Sequence, residues 1–429
     1  MLPRTAIYLD SNAGAPLHPR VVEALRILFS APSSDGAANN KQSLTVLVPN
    51  PSSIHSHGRE AKRMLAEARE SIARSIGPST DPEQLIFTSS CTEANQLAII
   101  SALEPHFKKD GQKSRQKSEK VHWITTPVEH DSVMQMVAWV KERGGEVSFL
   151  PVDEKGQPKI DRLTELWKPG ETALVSALWV NNETGVITDV KALTAAVRAL
   201  GGLIHIDAAQ AWGKLSIDVE SLGAHFVTLS GHKIGGLAGT GVTWFARGTR
   251  AQPVLLGKQE KGRRGGTENL VGIIAAGAAA SAIDCAAWQT AVEPLRDRFE
   301  SAIRVLIPGV HVNGEGSPRV ANTSNLSFEG IEGDSLVMAL DLAGFSVSSG
   351  SACASGVLEP SHVLLAMGRT PKQAMAALRV SLSSTDTWEE LESFLATLET
   401  IAARVRKAKL IVPITTEHLE QIQNSSLQN

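Results

Sequence analysis

The chain has 429 residues, 42% of them hydrophobic and 20% charged, which is enough for a full core and, at roughly 100–200 residues per domain, for two or three domains. Lys and Arg number 42 against 45 Asp and Glu, and the resulting net charge of −3 supplies no global basic field for nucleic acid or an anionic membrane. The three cysteines, Cys91, Cys285 and Cys353, are too few and odd in number for a disulfide framework; they fit a reducing compartment, where a thiol can be chemistry instead of a staple.

In chain order, the N-terminus meets Asp10 before any apolar run of signal-peptide length, and it lacks the Arg-rich pattern of a transit peptide, so a cytoplasmic location is expected. Residues 31–49, rich in Ser, Asn and Ala, read as a loop. A helix over residues 59–76 precedes a strand at 85–88. A second loop is expected at the charged stretch 108–120. Further strands follow at 121–125, 172–178, 203–206, 225–229 and 241–245, with helical patterns between them, which is the signature of βαβ units around a mostly parallel sheet. The uncharged stretch at 270–283 falls short of the roughly 18–20 residues that span a bilayer, and it reads as the start of a buried helix over 270–307. A strand at 324–328, a helix at 334–342 and a strand at 378–382 make up a smaller α+β unit. The chain therefore divides into a large domain, 20–285, and a small one built from 1–19 and 286–429.

Three stretches follow strands and are positioned to meet at the carboxyl edge of one sheet, where open α/β sheets place ligands. Thr88-Ser-Ser-Cys-Thr-Glu-Ala-Asn95 ends a strand in hydroxyl residues and opens a helix, so free N–H groups and the helix dipole can hold a phosphate; read alone, a Ser/Thr helix cap is the commoner explanation. Asp207 ends an apolar strand. Lys233, in Ser230-Gly-His-Lys, lies just past the next strand, and a charge in that place must be solvated, paired or consumed in a covalent bond. An acid and a lysine on neighbouring strand ends are what pyridoxal phosphate needs, one for the ring nitrogen and one for the covalent link.

With these go Asn50-Pro-Ser-Ser, Asn181-Asn182-Glu-Thr-Gly, Asp207-Ala-Ala-Gln-Ala and Ser348-Ser-Gly-Ser-Ala-Cys353. In order and spacing, from Tyr8 to about Leu382, the set resembles the cysteine desulfurases of the nitrogen-fixation and iron–sulfur assembly type, and the long segment around Cys353 resembles their group I. The resemblance implies an α/β, fold-type I pyridoxal phosphate transferase, with a mostly parallel seven-stranded sheet flanked by helices and a smaller α+β domain. It implies that Lys233 holds the cofactor and Asp207 pairs with the ring nitrogen. Asn182 and Gln210 would lie on the ring-oxygen side, with Asn182 also near the substrate. Thr92, Ser230, His232 and the backbone of Cys91 would bind the phosphate, and His130 would stack on the ring and move protons. Thr267, in a basic glycine-rich loop, would complete the phosphate site of a partner subunit in a homodimer.

Arg379 would hold the α-carboxylate of L-cysteine, as guanidinium forks do. Cys353, in a small polar segment with few groups to pack, would take the sulfur as a persulfide, leave L-alanine, and pass the sulfur to an acceptor or iron–sulfur scaffold protein. Cys285, among Ile, Ala and Trp, reads as packing. Cys91, where the family often has alanine, reads as a small residue and not as a nucleophile. Two departures stand out: Ala13-Gly-Ala-Pro16 replaces the family's Ala-Thr-Thr-Pro, and the loop before Asn50 is long. Three other readings remain open at this point. A selenocysteine lyase would prefer selenocysteine, an aminotransferase would exchange amino groups without persulfide, and a catalytically dead relay protein would bind no cofactor.

Overall fold

The computed structural model describes residues 6–30, 48–107, 121–331, 333–349 and 359–411. Most of the loop expected at 31–49, all of 108–120, and Cys353 lie outside these residues. A short N-terminal strand, β1 (Ile7–Tyr8), opens the chain. Seven strands then build the central sheet: β2 (Leu85–Thr88), β3 (His122–Thr125), β4 (Glu146–Phe149), β5 (Thr172–Leu178), β6 (Leu203–Asp207), β7 (Phe226–Ser230) and β8 (Gly241–Phe245). Their order is β2-β8-β7-β6-β5-β3-β4. The pairs among β3 to β7 are parallel, whereas β8 is antiparallel to both of its neighbours.

That single reversed strand matters for the site. Two antiparallel steps restore direction, so β2 points the same way as β7, and the carboxyl ends of β2, β5, β6 and β7 share one edge. Gly241 opposes Thr88 on one side and Ser230 on the other. A Cβ on Gly241 would lie 2.2 Å from the carbonyl oxygen of Ser90, so only glycine lets the turn after β2 come this close.

Both faces of the sheet are covered, as a parallel sheet requires. Alternation along the strands sends Phe87, Ile124, Val227 and Trp244 to a core shared with helices Ser56–Ser75 and Leu270–Ala280, while Ile86, Trp123, Phe226 and Phe245 face helices Cys91–Phe107 and Asp131–Glu142. Each such side chain, fully buried, contributes about 1.5–3 kcal/mol. The edge strand β4, not foreseen as an individual segment, is half-exposed and too short to show a period.

A second sheet runs β12-β10-β9, all antiparallel, with β9 (Val310–Val312), β10 (Thr323–Phe328), β11 (Phe345–Ser346) and β12 (Ala377–Ser381) following in sequence; β11 pairs instead with β1. Leu9, Phe299, Leu326, Leu378 and Phe394 share its core. The helix expected over 270–307 is two helices, Leu270–Ala280 and Cys285–Leu306, meeting at 78°. Asp284 causes the restart by accepting the N–H of Ala287 as an N-cap. Cys285 is accordingly half-buried at a helix start and not packed in a core. No single helix among the described residues is long and apolar enough to cross a membrane.

Candidate active site

A cavity of about 700 Å³ opens at the carboxyl edge of the large sheet, against β12. Cys91, Thr92, His130, Asn182, Asp207, Gln210, Ser230, His232, Lys233 and Arg379 all line it. Thr267 does not, and its side chain is exposed.

Asp207 terminates β6 and is buried. One carboxylate oxygen accepts the N–H of Ala209 at 2.9 Å; the other accepts Asn95 Nδ2 at 2.8 Å. Asn95 is itself fixed, giving its second proton to Ser132 Oγ and accepting from Thr228 Oγ1. The Asp207 carboxyl is thus held in a fixed orientation at the cavity wall. Asn95 was not foreseen as a site residue, although it lies one helical turn beyond Cys91 and shares its face.

Cys91 opens helix Cys91–Phe107, and its sulfur is 4.0 Å from Asp207. Burial, with the Asp207 charge, pushes the thiol well above its ordinary value, which keeps it protonated and unreactive at neutral pH. The first N–H groups of this helix, at Cys91 and Thr92, have no intrahelical acceptor and carry the positive end of the dipole. Beside them Ser230 Oγ and His232 Nδ1 are 3.1 Å apart. Burial and the neighbouring Lys233 charge push His232 down to about 4, leaving a neutral ring at neutral pH.

Lys233 ends the short turn after β7, and its Nζ donates to the carbonyl oxygens of Asn12 and, at 2.9 Å, Ala13. The unusual Ala13-Gly14-Ala15 segment therefore meets the lysine through its backbone, which loss of the family's hydroxyls leaves intact. Burial and the Arg379 charge, opposed by Asp10, Cys91 and Asp207, push Lys233 down to about 8. A substantial fraction is free amine near neutrality.

His130 caps helix Asp131–Glu142, its Nδ1 accepting the N–H of Ser132 at 3.1 Å, and it lines the cavity. Glu129 was not foreseen. Its Oε1 accepts from Thr126 Oγ1 (2.6 Å) and the Leu178 N–H (3.1 Å), while Oε2 has no partner. Burial, with Asp207 adding, pushes this carboxyl up to about 8.

Arg379, on β12, is buried, which excludes a solvent-facing strand arginine. Nη2 donates to Asp10 Oδ1 at 2.7 Å and Nη1 to the Asn182 carbonyl at 3.0 Å, while the buried Nε has no partner among the described residues. Ser348 and Glu359, which flank the segment carrying Cys353, both line the cavity. On the far side of that segment, Ser361 donates to Glu183 and His362 Nε2 lies 2.9 Å from the Glu129 carbonyl, so its C-terminal end is tied to the cavity wall.

Residues 7–394 match the aminotransferase class-V family. The chain is 36% identical over 403 residues to the cysteine desulfurase NifS of Azotobacter vinelandii, covering 93% of each protein. Among solved structures it is similar to a NifS-like protein, with a TM-score of 0.80 at 30% identity over 93% of this chain and 99% of the other. It is also similar to SspA in complex with cysteine, with a TM-score of 0.73 at 27% identity over 89% and 99%. With this agreement over nearly its whole length, the chain belongs to the class-V aminotransferase family and, within it, to the cysteine desulfurases.

Proposed function

We propose that this cavity converts L-cysteine to L-alanine and leaves the sulfur on Cys353 as a persulfide. Pyridoxal 5′-phosphate is the cofactor of the family, and when bound it supplies an electron sink for the carbon that loses its proton. The residues present fit it: Asp207 is a buried, fixed carboxylate for a protonated ring nitrogen, and the unpartnered N–H groups at Cys91 and Thr92, with Ser230 and neutral His232, form an anion cradle. Lys233 is the half-buried amine for the covalent link, and Asn182 and Gln210 line the same cavity.

The substrate carboxylate is held by Arg379, whose guanidinium belongs to the cavity wall. Lys233, displaced as free amine, removes the Cα proton, since a group held near 8 is competent both to accept and to return one at neutral pH. His130, on the cavity wall, moves the thiol proton. The Cys353 thiolate then takes the sulfur as the Cβ–S bond breaks, so that cysteine and enzyme thiol become alanine and enzyme persulfide, with no outside oxidant or reductant required.

One observation carries this reading: both flanks of the Cys353 segment line the same cavity as Lys233, Asp207 and Arg379. An acceptor or iron–sulfur scaffold protein in the cytoplasm would remove the sulfur, and Thr267, exposed and away from its own cavity, would serve a second copy in a homodimer. Incubating the purified, cofactor-loaded protein with L-cysteine tests the reading. Equal alanine and persulfide in the wild type, and no persulfide with the yellow colour kept in Cys353→Ser, are expected. Sulfur release at the wild-type rate by Cys353→Ser overturns it.

A further inference from the structure

Lys214 follows Gly213, whose left-handed backbone (φ 79°) turns the chain after Trp212. Its side chain is buried at 7% exposure, and it forms no ion pair with a carboxylate among the described residues. Instead Nζ donates to two carboxamide oxygens, Asn12 Oδ1 at 2.8 Å and Gln210 Oε1 at 2.6 Å. A buried lysine without a counter-ion is costly and calls for a reason.

The reason lies in what those two amides do next. A carboxamide is nearly symmetric in shape, so packing alone does not decide which end is oxygen. Lysine only donates, and it therefore turns both oxygens toward itself and both nitrogens away; at Asn12 it shares that task with Asn322, whose Nδ2 donates to the same Oδ1 at 3.1 Å. Asn12 Nδ2 is then directed to the Asn182 carbonyl (3.1 Å) and Thr323 Oγ1 (2.9 Å), and Gln210 Nε2 to the Asn12 carbonyl (2.9 Å). That same carbonyl accepts Lys233 Nζ. Burial and the charges of Lys233 and Arg379 push Lys214 well below its ordinary value.

We infer that Lys214 is a positioning residue: by fixing the amide orientation of Gln210 and Asn12 it holds the carbonyl against which the Lys233 amine is aligned. This rests on the reading of Lys233 as the cofactor-bearing lysine. Without Lys214, the Gln210 oxygen loses its donor, the amide rotates, and the Lys233 amine is held less well in the orientation that returns a proton to substrate.

The test uses cofactor-loaded Lys214→Met, Gln210→Ala, the double variant, and Lys214→Gln, which keeps one donor. It reads the pH midpoint of the visible band of the lysine-bound cofactor, together with kcat and KM for L-cysteine. Lys214→Met is expected to shift the midpoint by about one unit and to lower kcat about tenfold, the size of one lost hydrogen bond, with KM changed less. Gln210→Ala should do the same, the double variant no more than the larger single, and Lys214→Gln less. Midpoint and kcat at wild-type values in Lys214→Met, or additive effects in the double variant, overturn the proposal, since a merely structural lysine would lower Tm alone. If Lys214→Met does not fold, equal midpoints for Gln210→Ala, Lys214→Gln and wild type overturn it. Lys233→Ala tells the two readings apart: loss of the band supports the lysine assignment whatever Lys214 does, and a retained band overturns both.

Discussion

Arg379 and Asp10 form a part-buried ion pair of 2.7 Å at the cavity wall, joining β12 to the turn after β1. The guanidinium proposed to meet the substrate carboxylate is thus held by the Asp10 carboxylate through Nη2 and by the Asn182 carbonyl through Nη1.

Arg379→Ala is therefore expected to raise KM for L-cysteine by about 10–100-fold, the range for losing a charge-assisted fork, with a smaller effect on kcat. Asp10→Asn leaves Arg379 buried with a weakened counter-charge and is expected to lower stability by up to about 3–5 kcal/mol in urea unfolding. A Tm unchanged in Asp10→Asn would show the pair to be dispensable.

Removing the support of Asp207 has a different signature. Asn95→Leu deletes the 2.8 Å donor to the carboxylate without touching the acid. Cofactor affinity is expected to fall about 10-fold, roughly one strong hydrogen bond, in equilibrium dialysis. Wild-type affinity would mean that Ala209 N–H alone suffices.

Glu129 gives a pH prediction. Its folded-state value of about 8 lies above the ordinary 4.5, so between the two the folded chain keeps a proton that the unfolded chain has released. Stability from this group is full below 4.5 and is lost as pH rises toward 8. Glu129→Gln does not ionise and escapes that loss. Its Tm advantage over wild type should grow from about pH 5 to about pH 8; a constant difference rejects a protonated Glu129.

Alkylation separates the cysteines. With Cys91 pushed far above the neutral range, iodoacetamide at neutral pH is expected to label Cys353 and to spare Cys91, as read by peptide mass spectrometry. Equal labelling contradicts the buried, protonated thiol.

Finally, Gly241→Ala forces a methyl against the Ser90 carbonyl and is expected to cost about 1–3 kcal/mol, with cofactor binding weakened alongside. A neutral substitution would mean that the β2 turn can retreat without harm.

Asp207 and Lys233 were legible because each follows an apolar, strand-like run, Asp207 at its end and Lys233 in the turn just beyond it. Strand β4 was not, because an exposed edge of four residues needs little apolar pattern. The break at Asp284 was in principle readable as a cap, but the Ala-rich run on either side concealed it. In the site, Asn95 and Lys214 each stand four residues beyond a recognised residue, Cys91 and Gln210, and that spacing was the available signal. Asn12 offered none. Its importance comes from touching Asn182, Gln210, Lys214, Lys233 and Thr323 together, which is a property of the folded chain. Thr267 shows the reverse case, a motif residue that its own subunit leaves exposed.

The reversed strand β8 also sets an order of events on the ribosome. By Lys233 a nascent chain contains the phosphate turn, the acid and the lysine, yet the strand that must lie between β2 and β7 is still to be made. Until Phe245 has emerged, Thr88 and Ser230 have no common neighbour, and the two halves of the anion cradle belong to separate pieces of sheet. Cofactor capture during synthesis must wait for that last strand, however early its ligands are translated.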